Sequence, residues 1–102
     1  MYGRMYSIQL ARQAKKDTID IERAGFKPKV SEILSTVRKN PFEESQDFER
    51  LKGNMKGLFS RRINKKHRFL YEVLPNPENL TDADDTLYDG IVKIISMWTH
   101  YE

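Results

Sequence analysis

The sequence predicts an α+β fold in which an antiparallel sheet of about four strands carries an N-terminal helical hairpin packed on one face. Three observations lead there. Apolar residues recur at helical spacing in two consecutive segments near the start. Later segments alternate apolar and polar residues as strands do. At 102 residues and 38% hydrophobic content, the chain has material for one core, so residues 1–102 read as a single domain.

Arg4 to Leu10 alternates loosely and reads as the first strand. A helix follows from Ala11 to Arg23, with Ala11, Ala14, Thr18 and Ile21 on one stripe and Gly25 to end it. Pro28 suits the first turn of a second helix, in which Val30, Ile33, Leu34 and Val37 form the apolar stripe. Asn40-Pro41 stops that helix, and the two stripes together predict a hairpin covering one sheet face. Pro41 to Gly57 has few periodic apolar positions and reads as an ordered loop or short strand.

Leu58–Ile63 and His67–Leu74 then form a β-hairpin across Asn64-Lys65-Lys66. Alternation places His67, Phe69, Tyr71 and Val73 on one face and Arg68, Leu70 and Glu72 on the other, without deciding which is buried. Pro75 to Gly90, with two prolines, two asparagines and five acids, reads as a mobile loop. Ile91 to Tyr101 is the last strand, with Val92, Ile94, Trp98 and His100 on one face and Ile91, Ile95, Met97 and Tyr101 on the other.

Charge is distributed unevenly. The net charge is only +3, yet from Phe48 to Tyr71 there are eight Lys or Arg against the single acid Glu49. One hairpin therefore displays most of the cations, which points to an anionic partner. No run approaches the ~18 apolar residues of a membrane span, and the N-terminus has no apolar signal core, so a cytoplasmic protein is expected. Zero cysteines exclude disulfides, thiolate metal sites and cysteine nucleophiles. Two histidines far apart, without ligand-like spacing to acids, argue against a metal site, and no cofactor is expected. What remains is a carboxylate, a cation cluster and an imidazole within one small domain, the parts needed to cleave RNA without a metal.

Five short motifs occur in order: Asn40-Pro41-Phe42, then Phe48-Glu49-Arg50-Leu51-Lys52-Gly53-Asn54, Gly57-Leu58-Phe59-Ser60-Arg61-Arg62-Ile63, His67-Arg68-Phe69-Leu70-Tyr71, and the closing His100-Tyr101. In these the chain resembles the Txe/YoeB toxins of the RelE/ParE toxin-antitoxin superfamily, over about two thirds of its length. The resemblance implies a RelE-like α+β endoribonuclease that cuts messenger RNA in the ribosomal A site. It also implies a cognate antitoxin of the YefM/Axe, Phd-type class as partner, with the toxin alone a monomer or weak dimer. Its family roles carry over to Glu49 as general base, Arg68 as phosphate-stabilising cation, His100 as general acid and Tyr101 as an orienting or stacking residue. Lys52, Arg61 and Arg62 match family cations that contact RNA, and Lys65 and Lys66 at the hairpin turn extend that basic surface. Two features depart from the family pattern: Glu102 follows the His-Tyr pair, and the link from Pro75 to Gly90 is longer.

Each residue also has a plainer reading. Glu49 alone reads as a surface carboxylate paired with Arg50 or Lys52, and Arg68 as a strand cation paired with Glu72. His67 points away from Arg68 in a regular strand and reads as structural; Trp98 reads as core. Two other functions use the same residues: a non-catalytic RNA-binding module, and a ParE-like toxin directed at DNA gyrase. The second is disfavoured because Glu49, Arg68 and His100 match the ribonuclease branch.

Overall fold

A computed structural model of the chain describes residues 5–98. In chain order they form β1 (Tyr6–Leu10), α1 (Arg12–Arg23), α2 (Lys27–Lys39), β2 (Glu49–Arg50), β3 (Leu58–Arg62), β4 (Arg68–Leu74) and β5 (Gly90–Ser96), with a 3-10 turn over Gly53–Met55. The ends of the helical hairpin follow from its punctuating residues. Gly25 adopts φ 79°, its amide donates to the Glu22 carbonyl at 3.1 Å, and the Phe26 amide reaches back to Ile21 at 3.0 Å. This left-handed closure satisfies carbonyls that the helix end leaves open. Pro28 lies in the first turn of α2, where its missing N–H costs nothing.

One helical position differs from the predicted stripe. Asp17, not Thr18, is buried between Ala14 and Ile21. Its Oδ2 accepts the amides of Met97 at 2.8 Å and Trp98 at 3.3 Å, and its Oδ1 accepts Gln13 Nε2 at 2.9 Å. A carboxylate can be buried when it is supplied with donors in this way. Those two amides leave the sheet ladder to do so, and the last strand, predicted to run to Tyr101, ends at Ser96. Met97 consequently turns into the core instead of continuing the alternation.

The sheet has five strands in the order β1-β5-β4-β3-β2, where about four were predicted, and it is mixed where antiparallel was predicted. The fifth strand is the two-residue β2, too short to show a period, which pairs antiparallel with β3. The mixed character comes from the other edge: β3, β4 and β5 pair antiparallel in turn, and β1 runs parallel to β5, Tyr6 opposite Gly90 and Leu10 opposite Ile94. Gly90 is required at that entry, since a Cβ there would lie 2.6 Å from the Leu74 carbonyl oxygen.

Phe69, Tyr71, Val92 and Ile94 form the core with Ala14, Ile21, Ile33 and Val37 from the two helices, so the face shared by His67, Phe69 and Tyr71 is the covered one. Ser60, Arg62, Arg68 and Leu70 project from the opposite, helix-free face. The segment from Pro75 to Gly90, between β4 and β5, is tied together by its own hydrogen bonds. Asn76 Nδ2 donates to the Leu80 and Tyr88 carbonyls, Asp82 Oδ1 accepts the amides of Asp84 and Thr86, and Thr81 bridges to Leu87. Among the described residues, no helix is long and apolar enough to cross a membrane.

Candidate active site

The helix-free face brings the predicted base and cation together. Glu49 on β2 stands opposite Ser60 on β3, which stands opposite Leu70, while Arg68 at the start of β4 stands opposite Arg62. Directly paired residues project to the same side, so Glu49, Ser60, Arg62 and Arg68 share one surface. The Arg68 guanidinium donates from Nε to Ser60 Oγ at 2.9 Å and from Nη2 to the Asp47 carbonyl at 2.6 Å. Glu49 Oε1 lies 3.9 Å from the same Nη2, and the glutamate side chain is 61% exposed. Glu49 is therefore open to a ligand, and its cationic neighbour is Arg68, where the plainer reading offered Arg50 or Lys52. Arg50 faces the other way, its Cζ 5.4–5.7 Å from the ring centres of Phe42, Phe48 and Phe59.

Two contributors to this arrangement escape the sequence reading. Ser60 is buried at 1% exposure, and its hydroxyl fixes the guanidinium from below. Asp47 supplies a backbone oxygen to Arg68, and its carboxylate pairs with Arg62 Nε. The register that puts Ser60 beside Glu49 depends on β2, the strand without a period.

Arg61 must be reassigned. It was expected to contact RNA, but it is fully buried. Nε donates to Tyr71 Oη at 3.0 Å; Nη1 to the Ser45 carbonyl at 2.8 Å and Gln46 Oε1 at 3.3 Å; Nη2 to the Pro41 and Glu43 carbonyls at 3.2 and 2.7 Å. Its Cζ also lies 4.7 Å from the Phe48 ring centre. Arg61 shares the covered face with Phe69, its partner on β4, which is why it turns inward. Both terminal nitrogens of the fork are spent on the segment leading to Glu49, and Nε on Tyr71. The Tyr71 hydroxyl completes the clamp by donating to the Pro41 carbonyl at 2.6 Å, and burial pushes its pKa up against the lowering effect of the Arg61 hydrogen bond.

The remaining basic residues stay outside. Lys52, Arg62, Lys65 and Lys66 are exposed, the last two in a turn whose Lys66 and His67 amides are held by Asn64 Oδ1 at 2.9 and 2.7 Å. His67 is buried and stacks on Trp98 with ring centres 3.8 Å apart, which accords with its structural reading. His100 and Tyr101 lie outside the described residues. Among the described residues, no three His, Asp or Glu side chains converge as metal ligands.

A family model described as the YoeB-like toxin of bacterial type II toxin-antitoxin systems matches residues 20–101. The chain belongs to this family. Toxin YoeB of Escherichia coli O6:H1 is 44% identical over 45 residues, covering 44% of this chain and 54% of that protein, so the match spans about half of the curated relative's length. The YoeB/ParE toxin from Agrobacterium tumefaciens superimposes with a TM-score of 0.74 at 25% identity, covering 93% of this chain and 99% of that one. The YoeB of a YoeB-YefM complex from Staphylococcus aureus gives a TM-score of 0.68 at 28% identity, with coverages of 94% and 98%. The YoeB-like sheet thus carries Glu49 and Arg68 on its open face, with the buried Arg61 behind them.

Proposed function

We propose that this YoeB-like toxin is a ribosome-dependent endoribonuclease that cleaves messenger RNA by attack of the 2′-hydroxyl. The observation that carries the reading is the exposed Glu49 carboxylate 3.9 Å from an Arg68 guanidinium whose orientation is set by two other hydrogen bonds. Glu49 takes the proton from the 2′-hydroxyl, and O2′ forms a bond to phosphorus. Arg68 stabilises the added negative charge on the phosphorane oxygens. The P–O5′ bond then breaks, the leaving 5′-oxygen is protonated by His100, and the products are a 2′,3′-cyclic phosphate and a 5′-hydroxyl. Tyr101 orients or stacks on the RNA, and Lys52, Arg62, Lys65 and Lys66 hold its phosphates.

A site this open does little to orient a flexible RNA, which favours a ribosome that presents the message in a fixed geometry. The partner that neutralises the toxin is proposed to be a YefM/Axe-like, Phd-type antitoxin, on the strength of the Staphylococcus aureus complex. The cytoplasm, where ribosomes work, is its proposed location.

The deciding experiment incubates purified protein with programmed ribosomes and with the same message alone, beside a Glu49→Gln variant. Cleavage is expected only with ribosomes, and Glu49→Gln should lower the single-turnover rate by roughly 10²–10⁴-fold. Ribosome binding without any cleavage by the parent protein would leave a non-catalytic RNA-binding module as the correct reading.

A further inference from the structure

Gln46 and Asp47 stand consecutively in the left-handed backbone region, at φ 54° and 55°. Neither is glycine, and such positions persist only where the surroundings enforce them. The enforcement is visible on every side. Arg61 binds the Ser45 carbonyl and Gln46 Oε1, Gln46 Nε2 reaches Glu32 Oε2 and Thr36 Oγ1 on α2 at 3.2 Å each, and the Gln46 carbonyl accepts the Arg62 amide at 2.8 Å. The product of this enforced conformation is the direction of the next carbonyl. Asp47 O points at Arg68 Nη2 and accepts it at 2.6 Å.

We infer that the left-handed Gln46–Asp47 turn is the device that positions Arg68, with Asp47 a positioning residue acting through its backbone oxygen. This deepens the ribonuclease reading and rests on it for the consequence on rate. The guanidinium is gripped at two points: Ser60 Oγ on Nε and Asp47 O on Nη2. No hydrogen bond from Nη1 is present among the described residues, which leaves that corner of the fork for a phosphate oxygen. Were Asp47 to relax to an extended backbone, its carbonyl would swing away, and Arg68 would keep only the hydroxyl contact. The buried Arg61 thereby acts at one remove, since it clamps the segment that carries the turn.

The test compares Asp47→Gly with Asp47→Val. Both remove the carboxylate, so loss of the Arg62 pair is common to them, but glycine tolerates a left-handed backbone whereas a β-branched residue resists it. Two quantities are read: the single-turnover cleavage rate on saturating programmed ribosomes, and the ¹⁵N–¹H signal of the Arg68 Nε–H in protein alone. The valine variant should cleave about tenfold more slowly than the glycine variant, and its Arg68 signal should broaden and exchange faster while the glycine variant keeps the parent signal. Equal rates with identical Arg68 signals would overturn the inference. If Asp47→Val does not fold, Asp47→Ala replaces it, with a smaller difference in the same direction expected. A parent protein that cleaves nothing would sink the ribonuclease reading alone, because the Arg68 signal is read without RNA and still decides whether the turn holds the guanidinium.

Discussion

Arg61 and Tyr71 meet across β3 and β4 at 3.0 Å, guanidinium nitrogen to phenol oxygen, and between them they hold the Pro41 carbonyl from two directions. The pair is buried and lies behind the sheet surface that carries Glu49 and Arg68. Its charge therefore serves architecture, and in the proposed reaction it contributes only through the segment it fixes.

Replacing Arg61 by alanine should destabilise the protein by roughly 3 kcal/mol, since the Pro41, Glu43 and Ser45 carbonyls lose a donor at once and the buried Tyr71 hydroxyl loses its own. Urea unfolding measures this. Arg61→Lys keeps a charge but cannot reproduce the planar fork, and should recover only part of the loss. An unshifted midpoint in Arg61→Ala would show that the clamp contributes nothing.

Tyr71 gives the protein an alkaline limit. Burial raises its pKa in the folded state above that of an ordinary phenol, so the folded form holds the proton more tightly than the unfolded form. The associated stability is complete below pH ~10 and is lost as pH rises through the higher folded value. Tyr71→Phe should be less stable at neutral pH, having lost two buried hydrogen bonds, but its unfolding free energy should fall less steeply above pH ~10. Parallel pH profiles for parent and variant would contradict this.

Arg68→Lys retains the charge and removes the two-pronged donor. If paired hydrogen bonds stabilise the phosphorane, the rate should drop on the order of 10²-fold, as for the loss of one oxyanion donor, with folding and ribosome affinity close to the parent. Single-turnover kinetics decide the point: a variant as fast as the parent would mean that Arg68 supplies only diffuse positive charge. Arg62 would then become the next candidate, Arg61 being buried.

Replacing Lys65 and Lys66 together by alanine should weaken ribosome binding and lower its salt dependence, while the rate at saturation changes little. Binding measured across a salt series gives the slope. An unaltered slope would place the turn away from the ribosomal RNA and the message.

Much of this architecture is legible in the sequence where the signal is local. The helical stripes around Ala14, Ile21, Ile33 and Val37 and the Asn64-Lys65-Lys66 turn depend on neighbours within a few residues, and the structure has them where periodicity puts them. Features made by distant partners are less legible. Asp17 is buried because amides at Met97 and Trp98 supply its donors, which no helical period reveals. β2 exists only because Glu49 and Arg50 lie beside Ser60 and Phe59. Alternation puts Arg61 in step with Phe59 and opposite Phe69, but only the helices packed on that face make it the inner one. Its charge suggested the surface, and strand geometry outweighs that suggestion because six oxygens meet it inside.

The parallel pairing of β1 with β5 also has a bearing on synthesis. β5 lies between β1 and β4, so the first strand has no partner in the sheet until residues 90–96 are made. Contacts this distant in sequence form late, after the β3–β4 hairpin that needs only local pairing. A product truncated before residue 90 would lack the strand that joins the two halves of the sheet, and the first strand would have no neighbour to pair with.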